Sequence, residues 1–359
     1  MPEPQIALVD VAYDTYVPLF ASIELTLRCN LRCTHCYNFD RDMALPAGEE
    51  LTPDEVMSVI DELVSMGALE ICFTGGEALL HPHLLDFVRH ARRSLAAVRI
   101  KSNGVALTGH CAQLLYDAQV HAIDLSLYGA SAKTHDALTR VAGSFSKTLA
   151  GARAARDAGM RVSLSFCVTT ENSHEVEAML GISEREGFGF TLDPQISARY
   201  DGTRTSLAHR VPLPVLEQLY RGPLREALGQ PTCRNGQDMQ CSCARAVVAV
   251  SAQGDVYPCI AAPIPSGNIR QGGLKRIWET SPELTKVRGL TLSDYSQCAP
   301  CPDRGYCRRS NGVSLVNTGE YTGVDPWNCG EAAIIRAIAE QKPPCFSNGS
   351  PASPHSTSP

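Results

Sequence analysis

The feature that most constrains the fold of this chain is a regular alternation of short apolar runs with helical patterns. Six runs have the length and apolar content of buried strands: residues 22–27, 69–73, 98–101, 122–127, 161–168 and 188–192. Strands that alternate with helices are typical of βα units, which place their strands side by side in a parallel sheet. The sequence therefore predicts an α/β fold with six βα units.

The helices between these runs have their own sequence signals. Thr52 and Glu55 form a capping box, Pro53 takes the first helical position, and apolar residues then repeat at helical spacing up to Gly67. A second helix is predicted over residues 144–158. Because parallel strands end at a common edge, and that edge carries the site in closed barrels, we expect functional side chains at the strand ends.

The composition limits the classes of function. The 359 residues are 44% apolar, enough for a buried core, and no run approaches the ~18 apolar residues of a membrane span. The start has no secretory signal, so the 15 cysteines favour metal binding in a reducing compartment, the cytoplasm, over disulfides. The net charge is −6 and the basic residues are scattered, which argues against a nucleic-acid partner. We expect no membrane partner either.

Three cysteines follow the first predicted strand at short intervals. Cys29, Cys33 and Cys36 have C-x3-C-x2-C spacing, and Tyr37 comes directly after them. Iron–sulfur clusters are built from thiolates at such spacings, and three thiolates leave one iron of a four-iron cluster open to a chelating ligand. A structural zinc site is the alternative, although zinc favours two C-x2-C pairs. Unpaired core cysteines are a second alternative, which polar neighbours such as His35 disfavour.

The cysteine triplet resembles the signature of the radical S-adenosylmethionine (SAM) enzymes. Three later segments fall in the order of that family: residues 74–77 (TGGE), 101–104 (KSNG) and 126–129 (SLYG). The resemblance implies that SAM chelates a four-iron cluster held by Cys29, Cys33 and Cys36. It also implies a set of SAM-contacting residues, namely Tyr37, Gly75, Gly76, Glu77, Ser102, Asn103 and Ser126. For Glu77 and Asn103, an ordinary role as loop caps stays open.

The resemblance also implies an architecture. Six units would form a partial (βα)6 TIM-like barrel with an open side, which we expect at residues 21–230 after a lead-in at 1–20. A small cysteine-rich cluster-binding domain would follow at 231–340. Residues 341–359 are rich in Pro and Ser and are expected to be a disordered tail, so Cys345 is a poor ligand candidate.

Cysteines are frequent in the second part of the chain. They are Cys233, Cys241, Cys243, Cys259, Cys298, Cys301, Cys307 and Cys329. Their spacing from Cys243 onwards resembles the SPASM extension of radical SAM maturases, which binds two auxiliary four-iron clusters. The resemblance implies that the last four of these cysteines hold the second auxiliary cluster. A zinc ribbon is the alternative for this region.

The match to SPASM breaks at one ligand of the first auxiliary cluster. The family has a cysteine four residues after Cys307, and this chain has Asn311 there. The remaining candidate ligands are Cys241, Cys243 and Cys259, with Cys233 as the candidate replacement for the fourth. Without Cys233, this cluster would have three protein ligands and an open iron.

The resemblance further implies the chemistry. An electron passed from the first cluster to SAM would release a 5′-deoxyadenosyl radical. The auxiliary clusters would accept an electron and make the reaction oxidative, or they would anchor the substrate or relay electrons. We expect a maturase that makes a crosslink or related change in a ribosomally made peptide, with a flavodoxin- or ferredoxin-type reductant.

No catalytic acid or base is identified. Ile260 follows Cys259, where some relatives carry an acid, which counts against sulfatase maturation. Cys167 is conceivable as a hydrogen donor, although a buried apolar role is the simpler reading.

Other readings of the function stay open. Only about twenty residues precede the first predicted strand, too few for a leader-binding domain, so a separate protein would present the peptide, or the substrate is small. The second reading is a tetrapyrrole or other cofactor maturase. The third is a non-catalytic iron–sulfur protein for electron transfer, and the segments at residues 74–77 and 101–104 argue against it.

Overall fold

The computed structural model describes residues 4–38, 48–225 and 241–340. These ranges contain eight strands: β1 (Phe20–Glu24), β2 (Glu70–Thr74), β3 (Ala97–Ser102), β4 (Ala122–Ser126), β5 (Arg161–Cys167), β6 (Gly189–Asp193), β7 (Val247–Val250) and β8 (Val256–Tyr257). The first six strands lie side by side in chain order, and every neighbouring pair is parallel. The predicted α/β fold with six parallel strands is confirmed.

Helices connect and cover these strands. They are α1 (Pro4–Thr15), α2 (Pro53–Ser65), α3 (Leu84–Arg93), α4 (Gly109–Asp117), α5 (Ala132–Thr139), α6 (Ser144–Asp157), α7 (Val176–Glu186), α8 (Leu213–Arg221), α9 (Ile269–Gly272), α10 (Leu274–Thr280), α11 (Pro282–Gly289), α12 (Asn311–Thr318) and α13 (Pro326–Glu340). The capping box of Thr52 and Glu55 starts α2, and α6 occupies the predicted position. No helix in the described ranges has the length and apolar character needed to cross a membrane.

Two strands of the sheet come from the cysteine-rich region. β7 pairs in parallel with β1, with Phe20 opposite Val247, and β8 pairs antiparallel with β7. The sequence analysis did not predict either strand, because the alternation of strands and helices stops before them. The finding shows that the cysteine-rich region joins the barrel through a shared sheet.

The first strand ends earlier than predicted. Its ladder stops at Glu24, whereas the sequence favoured a strand over residues 22–27. The backbone N–H of Leu25 still donates to the Thr74 carbonyl at 3.0 Å, but that of Leu27 donates to the Glu50 carboxylate at 2.7 Å. The Glu50 side chain therefore replaces a neighbouring strand as the partner, and the loop with the cysteine triplet begins here.

The two faces of the sheet differ in polarity. Apolar residues on one face, among them Ile23, Phe73 and Ile100, are fully buried in the main core. Successive side chains of a strand point to opposite faces, and six of the nine intervening positions of β2 to β4 carry polar side chains. The Arg99 guanidinium bridges Glu70 at 2.9 Å and Asp124 at 3.1 Å across the inner face. The concave interior of the partial barrel is therefore polar.

A buried ion pair joins the end of the barrel to the last part of the chain. The Arg210 guanidinium donates to both carboxylate oxygens of Asp325, at 3.1 and 2.6 Å, and lies 5.7 Å from the ring centre of Trp327. The Asn317 amide donates to the same carboxylate at 2.7 Å. Asp325 is only 5% exposed, so its charge depends on these partners.

We predict that Arg210→Met lowers the free energy of unfolding by about 3 kcal/mol, because it leaves the Asp325 carboxylate buried with too few partners. Urea denaturation of the cluster-loaded protein under anaerobic conditions measures the loss. Arg221→Met is the matched control, since Arg221 pairs with Glu217 at 2.8 Å on an exposed helix face and should cost less than about 1 kcal/mol. Equal losses in the two variants would contradict the role of the buried pair.

Candidate functional site

A cavity of about 340 Å³ lies at the carboxyl ends of the parallel strands and is open to solvent. Its wall includes every residue that the sequence predicted for the first cluster and for SAM: Cys29, Cys33, Cys36, Tyr37, Gly75, Gly76, Glu77, Ser102, Asn103 and Ser126. These residues follow or end four different strands. The fold therefore brings the separate sequence segments to one place.

The cysteine triplet lies in the loop after β1, with its thiols partly exposed. The Leu31 backbone N–H points at the Cys29 sulfur at 3.4 Å, and the Asn103 amide does so at 3.7 Å. The same Asn103 amide donates to the Asn30 side chain at 2.7 Å. Donors aimed at sulfur favour the thiolate, the form that binds iron. The loop therefore fits a cluster with three cysteine ligands.

The two glycines after β2 allow the cysteine loop to approach closely. The Gly76 N–H donates to the Thr26 carbonyl at 2.6 Å, and the Glu77 N–H donates to the Arg28 carbonyl at 2.9 Å. A Cβ on Gly76 would lie 2.3 Å from the Arg28 oxygen, and one on Gly75, whose φ is +133°, would lie 2.4 Å from the Thr26 oxygen. Only glycine fits at either position, because a side chain there would collide with the backbone of the cysteine loop.

Glu77 is buried and connects the end of β2 to the end of β3. Its carboxylate accepts hydrogen bonds from the Ser102 hydroxyl and the Asn103 N–H, both at 2.7 Å, and from the Leu79 N–H at 2.9 Å. The side chain is 1% exposed, and burial raises the pKa of the carboxyl while the hydrogen bonds oppose the shift. Most acceptor positions of Glu77 are thus used inside the protein, which fixes Ser102 and Asn103 at the cavity.

Tyr37 lies where the cysteine loop meets the segment after β6. The Tyr200 N–H donates to the Tyr37 carbonyl at 3.0 Å, and the two rings lie 5.2 Å apart. The Arg199 guanidinium donates to the Thr34 carbonyl at 2.8 Å. Burial raises the pKa of Tyr200, so its hydroxyl stays protonated and donates to the Ile260 carbonyl. Tyr200 therefore connects the barrel, the cysteine loop and the cysteine-rich region.

The cavity wall also contains residues that are not among the predicted cluster ligands and SAM contacts. Lys101, Asp193 and Gln195 lie in its wall, together with Cys167 at the end of β5. Desolvation raises the pKa of the Asp193 carboxyl, and the Lys101 charge opposes this shift. Desolvation, with a smaller effect of Asp193, raises the pKa of the Cys167 thiol above its usual value. The strand-end rule would have found Asp193, which is the last residue of β6.

Three of the predicted auxiliary ligands form a compact group. The sulfurs of Cys243 and Cys259 lie 2.8 Å apart, and the Tyr321 hydroxyl lies 3.6 Å from the Cys241 sulfur. A hydrogen bond from Cys243, helped by Tyr321 and the backbone of Asn311, lowers the pKa of the Cys241 thiol, and burial opposes this shift. A thiol that ionises readily is suited to bind iron. The predicted fourth ligand, Cys233, lies outside the described residues.

The other auxiliary ligands form a second group. Burial raises the pKa values of Cys307 and Cys329. The neighbouring thiols Cys298 and Cys329 raise the pKa of Cys307 further, and Cys298 and Cys301 do so for Cys329, so the four thiols lie near one another. The Arg309 guanidinium points at the Cys298 sulfur at 3.3 Å. Within the described ranges, no three His, Cys, Asp or Glu side chains converge on a position for a single metal ion.

Comparison with known proteins supports the predicted iron–sulfur and SAM site. Residues 23–181 match the radical SAM superfamily, and residues 241–302 match SPASM, an iron–sulfur cluster-binding domain. The chain is a radical SAM enzyme with a SPASM domain, and its cofactors are [4Fe–4S] clusters and SAM.

Relatives of similar length carry out different reactions. An AdoMet-dependent heme synthase of Methanosarcina barkeri is 26% identical over 340 residues, which cover 87% of this chain and 97% of the relative. A PqqA peptide cyclase of Xanthomonas euvesicatoria is 29% identical over 360 residues, covering 90% and 92%. The crystal structure of Streptococcus suis SuiB aligns with a TM-score of 0.68 at 15% identity, over 90% of this chain and 81% of SuiB. That structural likeness shows the fold alone.

We predict that Gly76→Ala removes the first cluster. The added Cβ would meet backbone rather than a flexible side chain, so the cysteine loop would have to move. Anaerobic reconstitution should yield about four fewer irons per chain and no cleavage of SAM. Gly109→Ala is the control, because a Cβ at Gly109 meets nothing within 4 Å. Full iron content and SAM cleavage in Gly76→Ala would contradict the prediction.

Proposed function

We propose that this enzyme oxidatively modifies a ribosomally made peptide by forming a crosslink or a related bond. The first cluster, held by Cys29, Cys33 and Cys36, together with SAM supplies a 5′-deoxyadenosyl radical that takes a hydrogen atom from a carbon of the substrate. The observation that carries the proposal is the size and shape of the cavity that contains these cysteines.

The cavity has room for a reacting group rather than for a whole large substrate. At about 340 Å³ it lies near the lower end of pockets for small molecules, which span roughly 300–1,000 Å³. SAM occupies part of this space in the proposed complex. The substrate would therefore insert one side chain through the open side while the rest of it stays outside, as an extended peptide does.

The wall beyond the SAM segments has the groups that such a reaction needs. Lys101 offers a cation for a carboxylate or carbonyl oxygen of the substrate, and Asp193 offers a proton acceptor whose raised pKa makes it a stronger base. A new bond between two substrate positions removes two hydrogens. One would leave as an atom to the SAM-derived radical, and the other would leave as a proton to the Asp193 carboxylate. The clusters held by the cysteine-rich region would take up the remaining electron.

The cysteine-rich region supplies one wall of the cavity. Ile260 and Ala261, which follow Cys259, line it together with Val313, which follows Asn311 by two positions. The first auxiliary group is therefore close behind the wall, where it would accept the electron. Ile260 has no group that accepts a proton, which supports the expectation that this enzyme does not mature sulfatases.

The PqqA peptide cyclase supports the proposed peptide modification, because the alignment covers 92% of that protein. A second candidate function, maturation of a tetrapyrrole, is favoured by the heme synthase, which matches 97% of its own length. If the substrate is a tetrapyrrole, the Lys101 ammonium group would pair with one of its propionate groups. For the peptide reading we propose in addition a separate leader-binding protein, and for both a flavodoxin- or ferredoxin-type reductant.

The two functions are separated by one anaerobic assay. The reconstituted enzyme is incubated with SAM and dithionite and with either a pool of synthetic peptides or iron coproporphyrin. The proposal predicts peptide products lighter by two hydrogen atoms and extra 5′-deoxyadenosine in the peptide samples. Decarboxylation of the porphyrin with no change in any peptide would contradict the proposal and establish the second candidate. A peptide product of unchanged mass would show a redox-neutral reaction, with Cys167 as the candidate hydrogen donor.

We predict that Lys101→Met lowers the yield of modified substrate per 5′-deoxyadenosine at least tenfold. A hydrogen bond to a charged group contributes about 1.5–3 kcal/mol, and its loss would leave the reacting carbon badly placed. Liquid chromatography with mass spectrometry measures both products in one sample. The control is Lys147→Met on α6, which is absent from the cavity wall. An unchanged ratio in Lys101→Met would exclude the proposed role.

A further inference from the structure

The first auxiliary group has an amide where a fourth thiolate is expected. The Asn311 side-chain nitrogen lies 3.8 Å from the sulfur of Cys241, which packs with Cys243 and Cys259. Asn311 is only 1% exposed. Among the described residues, no fourth cysteine packs with this group. The position at which the chain departs from the SPASM cysteine pattern is therefore next to Cys241.

The backbone holds Asn311 firmly at this position. The residue opens α12, where the Ser310 hydroxyl accepts a hydrogen bond from the Val313 N–H at 3.3 Å. The next residue is Gly312, and a Cβ there would lie 2.3 Å from the Ala261 carbonyl oxygen. Ala261 belongs to the turn that Cys259 begins, in which the Ala262 N–H donates to the Cys259 carbonyl at 3.0 Å. The first turn of α12 is thus packed directly on the cysteine turn.

The chemistry of a carboxamide differs from that of a thiolate. An Asn side chain is neutral, with one oxygen acceptor and an NH₂ donor, whereas iron in clusters prefers soft, anionic sulfur. Asn311 cannot hold a fourth iron as firmly as a cysteine. The other polar group at this place, the Tyr321 hydroxyl, is directed at the Cys241 sulfur at 3.6 Å.

We propose that Cys241, Cys243 and Cys259 alone anchor the first auxiliary cluster, and that its fourth iron, beside Asn311, is exchangeable. Such an iron would accept a small anionic ligand such as a thiolate or carboxylate. The inference rests on the SPASM group itself and holds whether the substrate is a peptide or a tetrapyrrole.

The test uses the full chain with Cys29, Cys33 and Cys36 all changed to Ala, because the first cluster also has an open iron. This parent protein should bind about eight irons in two four-iron clusters. Mild oxidation with ferricyanide converts an incompletely ligated cluster, [4Fe–4S]²⁺, to [3Fe–4S]⁺ with release of Fe²⁺ and one electron to the oxidant. Electron paramagnetic resonance detects the three-iron form, and a chelator measures the released Fe²⁺.

The proposal predicts release of about one iron per chain and a three-iron signal from the parent. Adding Asn311→Cys should lower both at least fivefold, because the fourth thiolate is restored. Adding Cys233→Ser should change neither. Adding Cys329→Ser opens the second auxiliary cluster and serves as the positive control, with roughly twice the signal.

Four results would overturn the proposal, three from the variants above and one from an Asn311→Ala variant. The first is a parent that keeps all its iron while the Cys329→Ser control releases it. The second is a signal that arises only with Cys233→Ser, which would make Cys233 the fourth ligand. The third is a parent signal that Asn311→Cys leaves unchanged. If Asn311→Cys does not load with iron, Asn311→Ala replaces it: the proposal predicts full loading and an undiminished signal, and failure to load would show that Asn311 is a required ligand.

Discussion

The position of the cysteine triplet depends on two backbone hydrogen bonds. The N–H groups of Gly76 and Glu77 donate to the carbonyls of Thr26 and Arg28, which continues the pairing of β1 and β2 after the regular ladder has ended. A side chain at either glycine would force these segments apart. Backbone contacts therefore hold the cluster loop at the mouth of the barrel.

Glu77 extends this constraint to the next strand. Because its carboxylate accepts from Ser102 and Asn103, and the Asn103 amide reaches back to Asn30 and Cys29, three segments distant in sequence form one connected network. Buried polar networks that are well satisfied hold their members in one arrangement. The same residues that line the SAM side of the cavity thus also fix its shape.

The sequence predicted most of the barrel, because periodic patterns and cap signals identify individual strands and helices locally. It did not predict β7, whose four residues lie among cysteines and whose place beside β1 depends on long-range pairing. The segment at residues 74–77 could be recognised from its sequence. The three hydrogen-bond donors to the Glu77 carboxylate could not be predicted, because they depend on the folded arrangement. Asp193 belongs to no motif, so its place at the end of β6 is its one signal in the sequence, and the parallel sheet brings it to the same cavity as the triplet. The resemblance to SPASM pointed to Asn311 as a missing ligand, and the structure places its side chain 3.8 Å from the Cys241 sulfur.

The measurement that tests the account most directly is the formation of 5′-deoxyadenosine by the anaerobically reconstituted, reduced protein with SAM, with iron counted in the same sample. The account predicts 5′-deoxyadenosine and methionine in equal amounts from protein that holds about twelve irons, the content of three four-iron clusters. It also predicts no nucleoside from the Cys33→Ala variant. A fully loaded wild-type protein that leaves SAM intact would contradict the central claim.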